Sequence, residues 1–114
     1  METRIKICCI HDIREAETAM RYGASAIGLV AAMPSGPGPI PDELIRQIAA
    51  TTPPPIATFL LTSRTSVREI IEHHRLTHTN TIQIVDALSE GTYAELKSAL
   101  PGVKIVQVVH VLRE

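Results

Sequence analysis

The regular alternation of short apolar runs with amphipathic segments is the feature that most constrains the fold of this chain. Units of a strand-like run and a helix-like segment recur after roughly two to three dozen residues. Strands and helices that alternate at this spacing form βαβ units around a parallel sheet, with right-handed crossovers. Five runs are predicted as strands, over residues 4–10, 26–31, 56–61, 81–85 and 103–111.

Four helices are predicted between these strands from their start and stop signals. Two of them open with a capping box, in which a capping side chain is followed three residues later by Glu. Gly23 fits the end of the first helix, and Pro53 ends the second. The predicted starts are, in chain order, Asp12, Pro41, Ser63 or Thr65, and Thr92.

Two architectures are compatible with this pattern: an open doubly wound sheet, or part of a (β/α)₈ barrel. The sequence stops directly after its fifth predicted strand, whereas a flavodoxin-like domain ends on a fifth helix. An apolar run such as "IVQVVHV" left as an uncovered edge is prone to aggregation. We therefore expect a single α/β domain over residues 1–114, the N-terminal half to five-eighths of a TIM barrel, which pairs with a missing C-terminal half or with another copy.

Composition excludes several classes of partner. The net charge is −1 and acidic and basic residues are interspersed, which argues against nucleic acid because phosphate binding needs a clustered positive patch. The longest apolar stretch, residues 24–33, is too short to cross a bilayer, and no secretory signal opens the chain. We expect a cytoplasmic protein whose thiols stay reduced.

The stretch "KICCI" places two thiols at the end of the first predicted strand. Neighbouring side chains of a strand point to opposite faces, so Lys6 and Cys8 are expected on one face and Cys9 on the other. This alternation argues against a shared metal or a disulfide. Two interpretations remain: both thiols are structural packing, or Cys8 faces the mouth of a site, because chemistry in parallel α/β folds lies at the carboxyl ends of the strands.

Other polar residues near the same ends of the strands are candidates for the site. Asp86 follows the fourth run and is either a helix cap or an acid–base group. His110 interrupts the fifth apolar run, where a polar group needs a partner or lines a pocket. His74 and His78 have a helical ligand spacing but lack the rest of a metal motif, so we predict a solvated helix end and no metal site. The loop "AMPSGPGPIP" lacks a phosphate-binding motif and is predicted to contact substrate.

Several of these motifs, in this order, resemble the first half of the phosphoribosylanthranilate isomerase family. "KICCI", a capped helix, "YGASAIGLV", a Pro/Ser loop and "IPDELIRQI" parallel the family's K-[IV]-C-G-[IL] opening, its A-G-A-D-A-[IL]-G-[FL]-V strand and the second helix after S-P-R-Y-V. The resemblance runs along all 114 residues. It implies a (β/α)₈ barrel that performs an Amadori rearrangement of an aminoaldose phosphate in tryptophan biosynthesis, without a cofactor.

The resemblance also implies residue roles. The family's general base falls on Cys8, where a nearby lysine favours the thiolate. Cys9, where the family has Gly, is expected to point toward the helix layer as packing. The predicted site thus comprises two catalytic residues, Cys8 and Asp86, and substrate-binding residues around a small phosphorylated substrate. The predicted substrate-binding residues are Lys6, His11, Ser35, Gly36, Gln83 and His110.

The sequence departs from the family at residues that matter for the substrate. The S-P-R arginine, which grips the anthranilate carboxylate, has no counterpart in "MPSGPGPI", and the histidine and glycine of V-Q-L-H-G become Val85 and Asp86. The family's general acid and phosphate site lie beyond Glu114, so we expect the chain by itself to be inactive. The alternatives are a paralogue with a different substrate, or a non-catalytic half-barrel that binds a small ligand or a partner chain. A flavodoxin-like receiver is disfavoured because only Asp12 could supply its acidic cluster.

Overall fold

Strands and helices alternate strictly in the computed structural model, which describes residues 3–34 and 38–112. Each described strand overlaps one predicted run, but the first and last strands are shorter than predicted. The strands are β1 (Lys6–Ile7), β2 (Ala26–Val30), β3 (Ala57–Thr62), β4 (Thr81–Ile84) and β5 (Lys104–Gln107). The helices are α1 (Ile13–Arg21), α2 (Asp42–Thr51), α3 (Val67–Thr77) and α4 (Tyr93–Ala99).

The order of the strands distinguishes the two predicted architectures. The strands lie side by side in chain order, β1-β2-β3-β4-β5, and every neighbouring pair is parallel. A doubly wound sheet reverses its strand order at a switch point, and the described strands contain no reversal, so that alternative is wrong. Right-handed crossovers in one direction place all the helices on one face, where α1, α2, α3 and α4 contact one another in turn. This is the arrangement of half a (β/α)₈ barrel.

Local capping interactions explain where the helices begin. Asp12 Oδ1 accepts a hydrogen bond from the Glu15 amide at 2.8 Å, and Thr92 Oγ1 accepts one from the Glu95 amide at 3.2 Å, which confirms Asp12 and Thr92 as N-caps. Pro41 is predicted as the first residue of α2, but the helix begins one residue later, at Asp42, and Pro41 is its N-cap.

The predicted cap of α3 is wrong. Ser66, not Ser63 or Thr65, caps this helix, and its Oγ accepts the Glu69 amide at 3.1 Å. Ser66 is the residue placed three positions before a glutamate, whereas the Thr65 hydroxyl lies 2.8 Å from the Ser89 hydroxyl of a neighbouring loop.

The hydrophobic core lies between the outer face of the sheet and the helices. It consists of branched aliphatic side chains, several of them fully buried, and burial of each such side chain contributes roughly 1.5–3 kcal/mol. One cluster packs β2 and β3 against α1 and α2, and a second packs β4 against α3 and α4. The fully buried aliphatic residues of the two clusters are Ile27, Leu29, Ile45, Ile48 and Leu60, and Ile70, Ile82, Ile84 and Leu96.

The opposite, inner face of the sheet carries a different set of side chains. The strand register places Gly28 beside Phe59, Leu61 beside Gln83, and Gln83 beside Val106. These residues alternate with the core residues along each strand, so they point away from the helices. The inner face therefore combines apolar and polar groups on the concave side of the half-barrel, where a closed barrel has its interior.

Candidate active site

Lys6 and Gln83 meet across the inner face of the sheet. The Lys6 ammonium donates a hydrogen bond to Gln83 Oε1 at 2.5 Å and lies 4.3 Å from the centroid of the Phe59 ring. β1 and β4 are three strand spacings apart, about 14 Å in a flat sheet. Curvature of the sheet therefore brings together two of the predicted substrate-binding residues.

The electrostatics of Lys6 reflect two opposing effects. Burial lowers the pKa of its ammonium group, and the nearby Cys8 and Cys9 thiols, which attract the cation when ionised, oppose this shift. The Phe59 ring and the Gln83 amide oxygen both favour the charged form. Lys6 is therefore a cation held at the base of the site, beside the thiols of the first βα loop.

Cys8 follows directly after β1 and is exposed. Its thiol lies over Gly28 of β2: a Cβ atom on Gly28 would be 2.8 Å from Cys8 Sγ and 3.2 Å from Lys6 Cε. A residue other than glycine would displace one of these groups. The absence of a side chain at Gly28 thus allows the thiol and the lysine to occupy the same side of the sheet.

Cys9 departs from the predicted strand geometry. Its φ is +57°, in the left-handed region that favours glycine, so the pleat of β1 does not continue past Ile7. Its thiol packs against Gly38 of the β2–α2 loop, where an added Cβ would lie 2.9 Å from Sγ, and it also borders a cleft that Thr18 and other α1 residues line. The expectation that Cys9 packs toward the helix layer stays a prediction.

Cys9 is also linked to Cys8. The two thiols are reduced and hydrogen-bonded to each other. Burial raises the pKa of the Cys9 thiol, and the charge and hydrogen bond of Cys8 raise it further, while Lys6 acts in the opposite direction. The left-handed turn thus places both sulfurs at the same rim of the sheet.

His110 and Asp86 lie at the carboxyl ends of β5 and β4. His110 Nε2 donates to the Val85 carbonyl at 2.9 Å and is 3.7 Å from Asp86 Oδ1. Both side chains are exposed, and His110 stands beyond the end of β5 rather than inside a strand, because β5 ends at Gln107. The Gln107 amide holds this rim together by donating to the carbonyls of Ile84 and Asp86, each at 3.1 Å.

The remaining predicted residues are not gathered at one point. The His11 amide donates to Glu15 Oε1 at 2.7 Å, and His11 Nδ1 lies 3.5 Å from the same oxygen, so His11 contacts the first turn of α1. Ser35 and Gly36 lie outside the described residues. Within residues 3–34 and 38–112, no group of three metal-ligating side chains could hold a metal ion, and no helix is long and apolar enough to cross a membrane.

A buried hydrogen-bonded chain between α2, α3 and β3 was not predicted. Thr62 Oγ1 is 2.9 Å from His73 Nδ1, and His73 Nε2 is 2.9 Å from Asp42 Oδ1. Thr62 Oγ1 also accepts the Arg64 amide at 3.2 Å. Thr62 and His73 are buried. One signal was available in the sequence, since His73 lies three residues after the buried Ile70, on the same stripe of α3.

The contacts of His73 link three elements of the fold. The carboxylate of Asp42 only accepts, so Nε2 of the histidine donates to it. The Thr62 hydroxyl pairs with Nδ1 on the other side of the ring, and the chain ties the start of α2 to the end of β3.

Comparison with known proteins finds phosphoribosylanthranilate isomerases among those similar in sequence. No family model matches the chain. A phosphoribosylanthranilate isomerase of Gloeobacter violaceus is 30% identical over 111 residues, which is 95% of this chain and 48% of that protein. Another from Methanosarcina mazei is 29% identical over 110 residues, 96% of this chain and 49% of that protein.

A solved structure extends the similarity to the fold. The phosphoribosylanthranilate isomerase from Thermococcus kodakaraensis superposes with a TM-score of 0.86 at 21% identity, over 99% of this chain and 52% of that one. The chain thus spans about half the length of the relatives that it matches. The predicted resemblance is confirmed: the chain is similar in sequence to phosphoribosylanthranilate isomerases, and its fold matches about half of a solved one.

Proposed function

We propose that this chain is the base-bearing half of an aldose–ketose isomerase of the phosphoribosylanthranilate isomerase type, with Cys8 as the general base. The observation that carries the proposal is the position of Cys8: an exposed thiol at the carboxyl end of β1, over Gly28 and near Lys6. A thiolate is the reactive form of cysteine, and a neighbouring ammonium group stabilises it.

The proposed reaction uses that thiolate in a proton transfer. In the open-chain, protonated imine form of an aminoaldose phosphate, the Cys8 thiolate removes the proton from C2 of the sugar. The C–H electron pair forms the C1–C2 double bond of an enolamine, and the imine nitrogen accepts the displaced pair. Reprotonation at C1 and loss of the C2 hydroxyl proton then give the aminoketose, so the whole reaction is an internal redistribution of protons.

The chain spans about half of its relatives, and we propose that a second half-barrel supplies the general acid and the phosphate site. Asp86 and His110, at the carboxyl ends of β4 and β5, would contact the substrate together with Lys6 and Gln83. Reduced thiols suit a reducing compartment such as the cytoplasm.

The test is turnover of N-(5'-phosphoribosyl)anthranilate by this chain, alone and mixed with a separately expressed C-terminal half of the Methanosarcina mazei relative. We expect activity only in the mixture, and a loss of at least a hundredfold in Cys8→Ser and Cys8→Ala, since general bases contribute about 10²–10⁴-fold. Undiminished turnover in the Cys8 variants would remove the assigned base. Absence of turnover with the unmutated chain, when circular dichroism and gel filtration show a folded complex, would remove the substrate assignment.

The composition of the loop after β2 favours a substrate related to N-(5'-phosphoribosyl)anthranilate rather than that compound itself. Residues 31–41 contain no arginine, so the loop after β2 offers no bidentate partner for a carboxylate. An aminoaldose phosphate whose amine substituent lacks a carboxylate would fit this loop better. A competition assay uses N-(5'-phosphoribosyl)anthranilate and an analogue in which phenylamine replaces anthranilate. Faster turnover of the analogue supports the substrate without a carboxylate, and faster turnover of N-(5'-phosphoribosyl)anthranilate excludes it.

A second function follows from the open edges of the half-barrel. Ile5 and Ile7 beside β1 are 46% and 42% exposed, and Val111 and Leu112 after β5 are 88% and 90% exposed. Such apolar groups at sheet edges favour pairing with a partner chain or a second copy. Light scattering of the purified chain tests this alternative, because a stable monomer at micromolar concentration argues against pairing.

A further inference from the structure

Two adjacent thiols at one rim are unusual for consecutive residues of a strand. An extended backbone would send them to opposite faces, whereas the left-handed φ of Cys9 breaks this alternation and the two thiols interact. Two glycines leave room for the pair: Gly28 lies under the Cys8 sulfur and Gly38 lies against the Cys9 sulfur. The arrangement is therefore built by the backbone of three segments, the first βα loop, β2 and the β2–α2 loop.

We propose that Cys9 is a positioning residue, whose thiol donates a hydrogen bond to the Cys8 thiolate and holds it over Gly28. This inference rests on the proposed function only in taking Cys8 as the base. A non-glycine residue in the left-handed region carries a conformational cost, which is repaid here by the hydrogen bond that the Cys9 side chain makes. The family pattern has a glycine at this position, so the donor is a feature of this chain.

The two thiols are not equivalent as acids. Two adjacent thiolates repel each other, so one ionises first and the pair then shares a single proton. Burial and the neighbouring Cys8 raise the pKa of Cys9, and a hydrogen bond that Cys9 donates has the same direction. Cys8 is the exposed member of the pair. The raised pKa keeps the proton on Cys9, which makes Cys9 the donor of the pair.

Charged groups on the neighbouring elements complete this picture. Lys6 of β1 attracts the pair and favours ionisation of one thiol. The β2–α2 loop presents Gly38 to the Cys9 sulfur. On the α1 side, Glu15 is bound to His11 and Asp12 caps the helix, so both carboxylates are already partnered. The titratable and charged groups that border the thiols are Lys6, His11, Asp12, Arg14 and Glu15.

The experiment measures the ionisation of Cys8 directly, with iodoacetamide as the probe. The alkylation rate of each cysteine is followed from pH 5 to 10, and fragment spectra of the tryptic peptide 7–14 assign the label to Cys8 or Cys9. We expect Cys9→Ala and Cys9→Gly to raise the midpoint of Cys8 alkylation by about half a pH unit or more, because a hydrogen bond to a charged group is lost. Cys9→Ser retains a donor and should keep the midpoint near that of the unmutated chain.

Two outcomes would overturn the inference: an unchanged Cys8 midpoint in both Cys9→Ala and Cys9→Gly, or a Cys9→Ser midpoint that shifts as far as theirs. Cys9→Gly suits the left-handed backbone, so it separates loss of the donor from loss of the fold. The readout needs no turnover. A shifted midpoint without isomerase activity would support the role of Cys9 and remove the proposed function. Isomerase activity with an unshifted midpoint would support the proposed function and remove the role of Cys9.

Discussion

The side chains of Lys6 and Gln83 join β1 to β4 across two intervening strands, with 2.5 Å between Nζ and Oε1. This contact spans the inner face of the half-barrel and holds the lysine over Phe59, two residues before Cys8. The Lys6–Gln83 hydrogen bond thus stabilises the fold and also positions a residue of the proposed site. Its contribution to stability can be measured without an activity assay.

A double-mutant cycle measures this interaction. Lys6→Met and Gln83→Leu should each lower the free energy of unfolding by about 1–2 kcal/mol, because each leaves a half-buried polar group without its partner. The double variant should be more stable than the sum of the two single effects predicts, by about 1 kcal/mol. Urea unfolding followed by circular dichroism gives all four values. Strict additivity would mean that the two side chains do not interact in solution.

The buried His73 chain gives a second prediction. His73→Ala removes the group that joins Thr62 to Asp42 and leaves a cavity, so we expect a loss of about 2–4 kcal/mol in the free energy of unfolding. Thr62→Val preserves shape but leaves the Arg64 amide and His73 Nδ1 unpaired, and it should cost about 1–2 kcal/mol. Urea unfolding curves at pH 7 measure both losses.

A matched surface variant calibrates those values. Arg68 is exposed and pairs with Glu72 at 3.4 Å, an ion pair of the kind that contributes at most about 1 kcal/mol. Arg68→Ala should therefore change stability much less than His73→Ala. Equal losses in the two variants would show that the buried chain is no more important than a solvated ion pair.

Sequence reasoning recovered the features that depend on local patterns. The five runs, the alternation of faces in β4 and the N-caps at Asp12 and Thr92 are set by residues within a few positions of each other. The position of the fifth run and the family resemblance favour the barrel over the doubly wound sheet, and the strand order, which no local pattern encodes, confirms it.

The site was harder to predict because it depends on single torsions and on curvature. The first predicted strand runs three residues past the end of β1, and the left-handed φ of Cys9 breaks the alternation of faces on which its expected direction depended. The Lys6–Gln83 contact requires a curled sheet that joins residues 77 positions apart. His73 was overlooked because the spacing of His74 and His78 suggested a metal motif, although His73 is the buried member of the three.

A third prediction concerns the ionisation of Cys9. The neighbouring Cys8 raises the pKa of Cys9 through its charge and through the hydrogen bond, so Cys8→Ala should lower that pKa toward 9.0, the ordinary value. Burial is the largest cause of the shift and persists in the variant, so the decrease should be partial. Alkylation of Cys9 as a function of pH measures the change. A Cys9 midpoint that stays in place would show that the two thiols titrate independently.

The raised pKa of Cys9 also determines how the stability of the chain depends on pH. Because the folded state holds the Cys9 proton more tightly than the unfolded chain, its contribution to stability is present below pH 9.0 and declines as the pH rises through the raised pKa. Cys9→Ser lacks this titration, so its stability should fall less between pH 9 and pH 11 than that of the unmutated chain. Equal losses of stability in Cys9→Ser and the unmutated chain between pH 9 and pH 11 would contradict the raised pKa of Cys9.

Two helix ends in the left-handed region provide a fourth prediction. Gly23, after α1, has φ of +99° and open space where a Cβ would be added, so Gly23→Ala should cost about 1 kcal/mol through backbone strain alone. His78, after α3, has φ of +56°, and His78→Gly should relieve strain there and stabilise the chain by up to about 1 kcal/mol. Thermal unfolding of both variants should therefore move in opposite directions, and a shared direction would contradict the strain argument.

The fifth prediction tests whether the space over Gly28 is what positions the proposed base. The φ of Gly28 is not in the left-handed region, so Gly28→Ala introduces no backbone strain, and its effect comes from the added Cβ alone. That atom would lie 2.8 Å from the Cys8 sulfur, closer than two such atoms can approach, and 3.2 Å from Lys6 Cε, so it would disturb the packing of the thiol beside the lysine. We expect alkylation of Cys8 by iodoacetamide at pH 7 to slow by roughly threefold or more, because separation from the cation lowers the thiolate fraction.

Ala26→Gly, on the neighbouring inner position of β2, is the matched control for changes in the strand itself. Faster or unchanged alkylation in a folded Gly28→Ala chain would mean that the thiol does not depend on this contact, and the base would then have to be held by Cys9 alone.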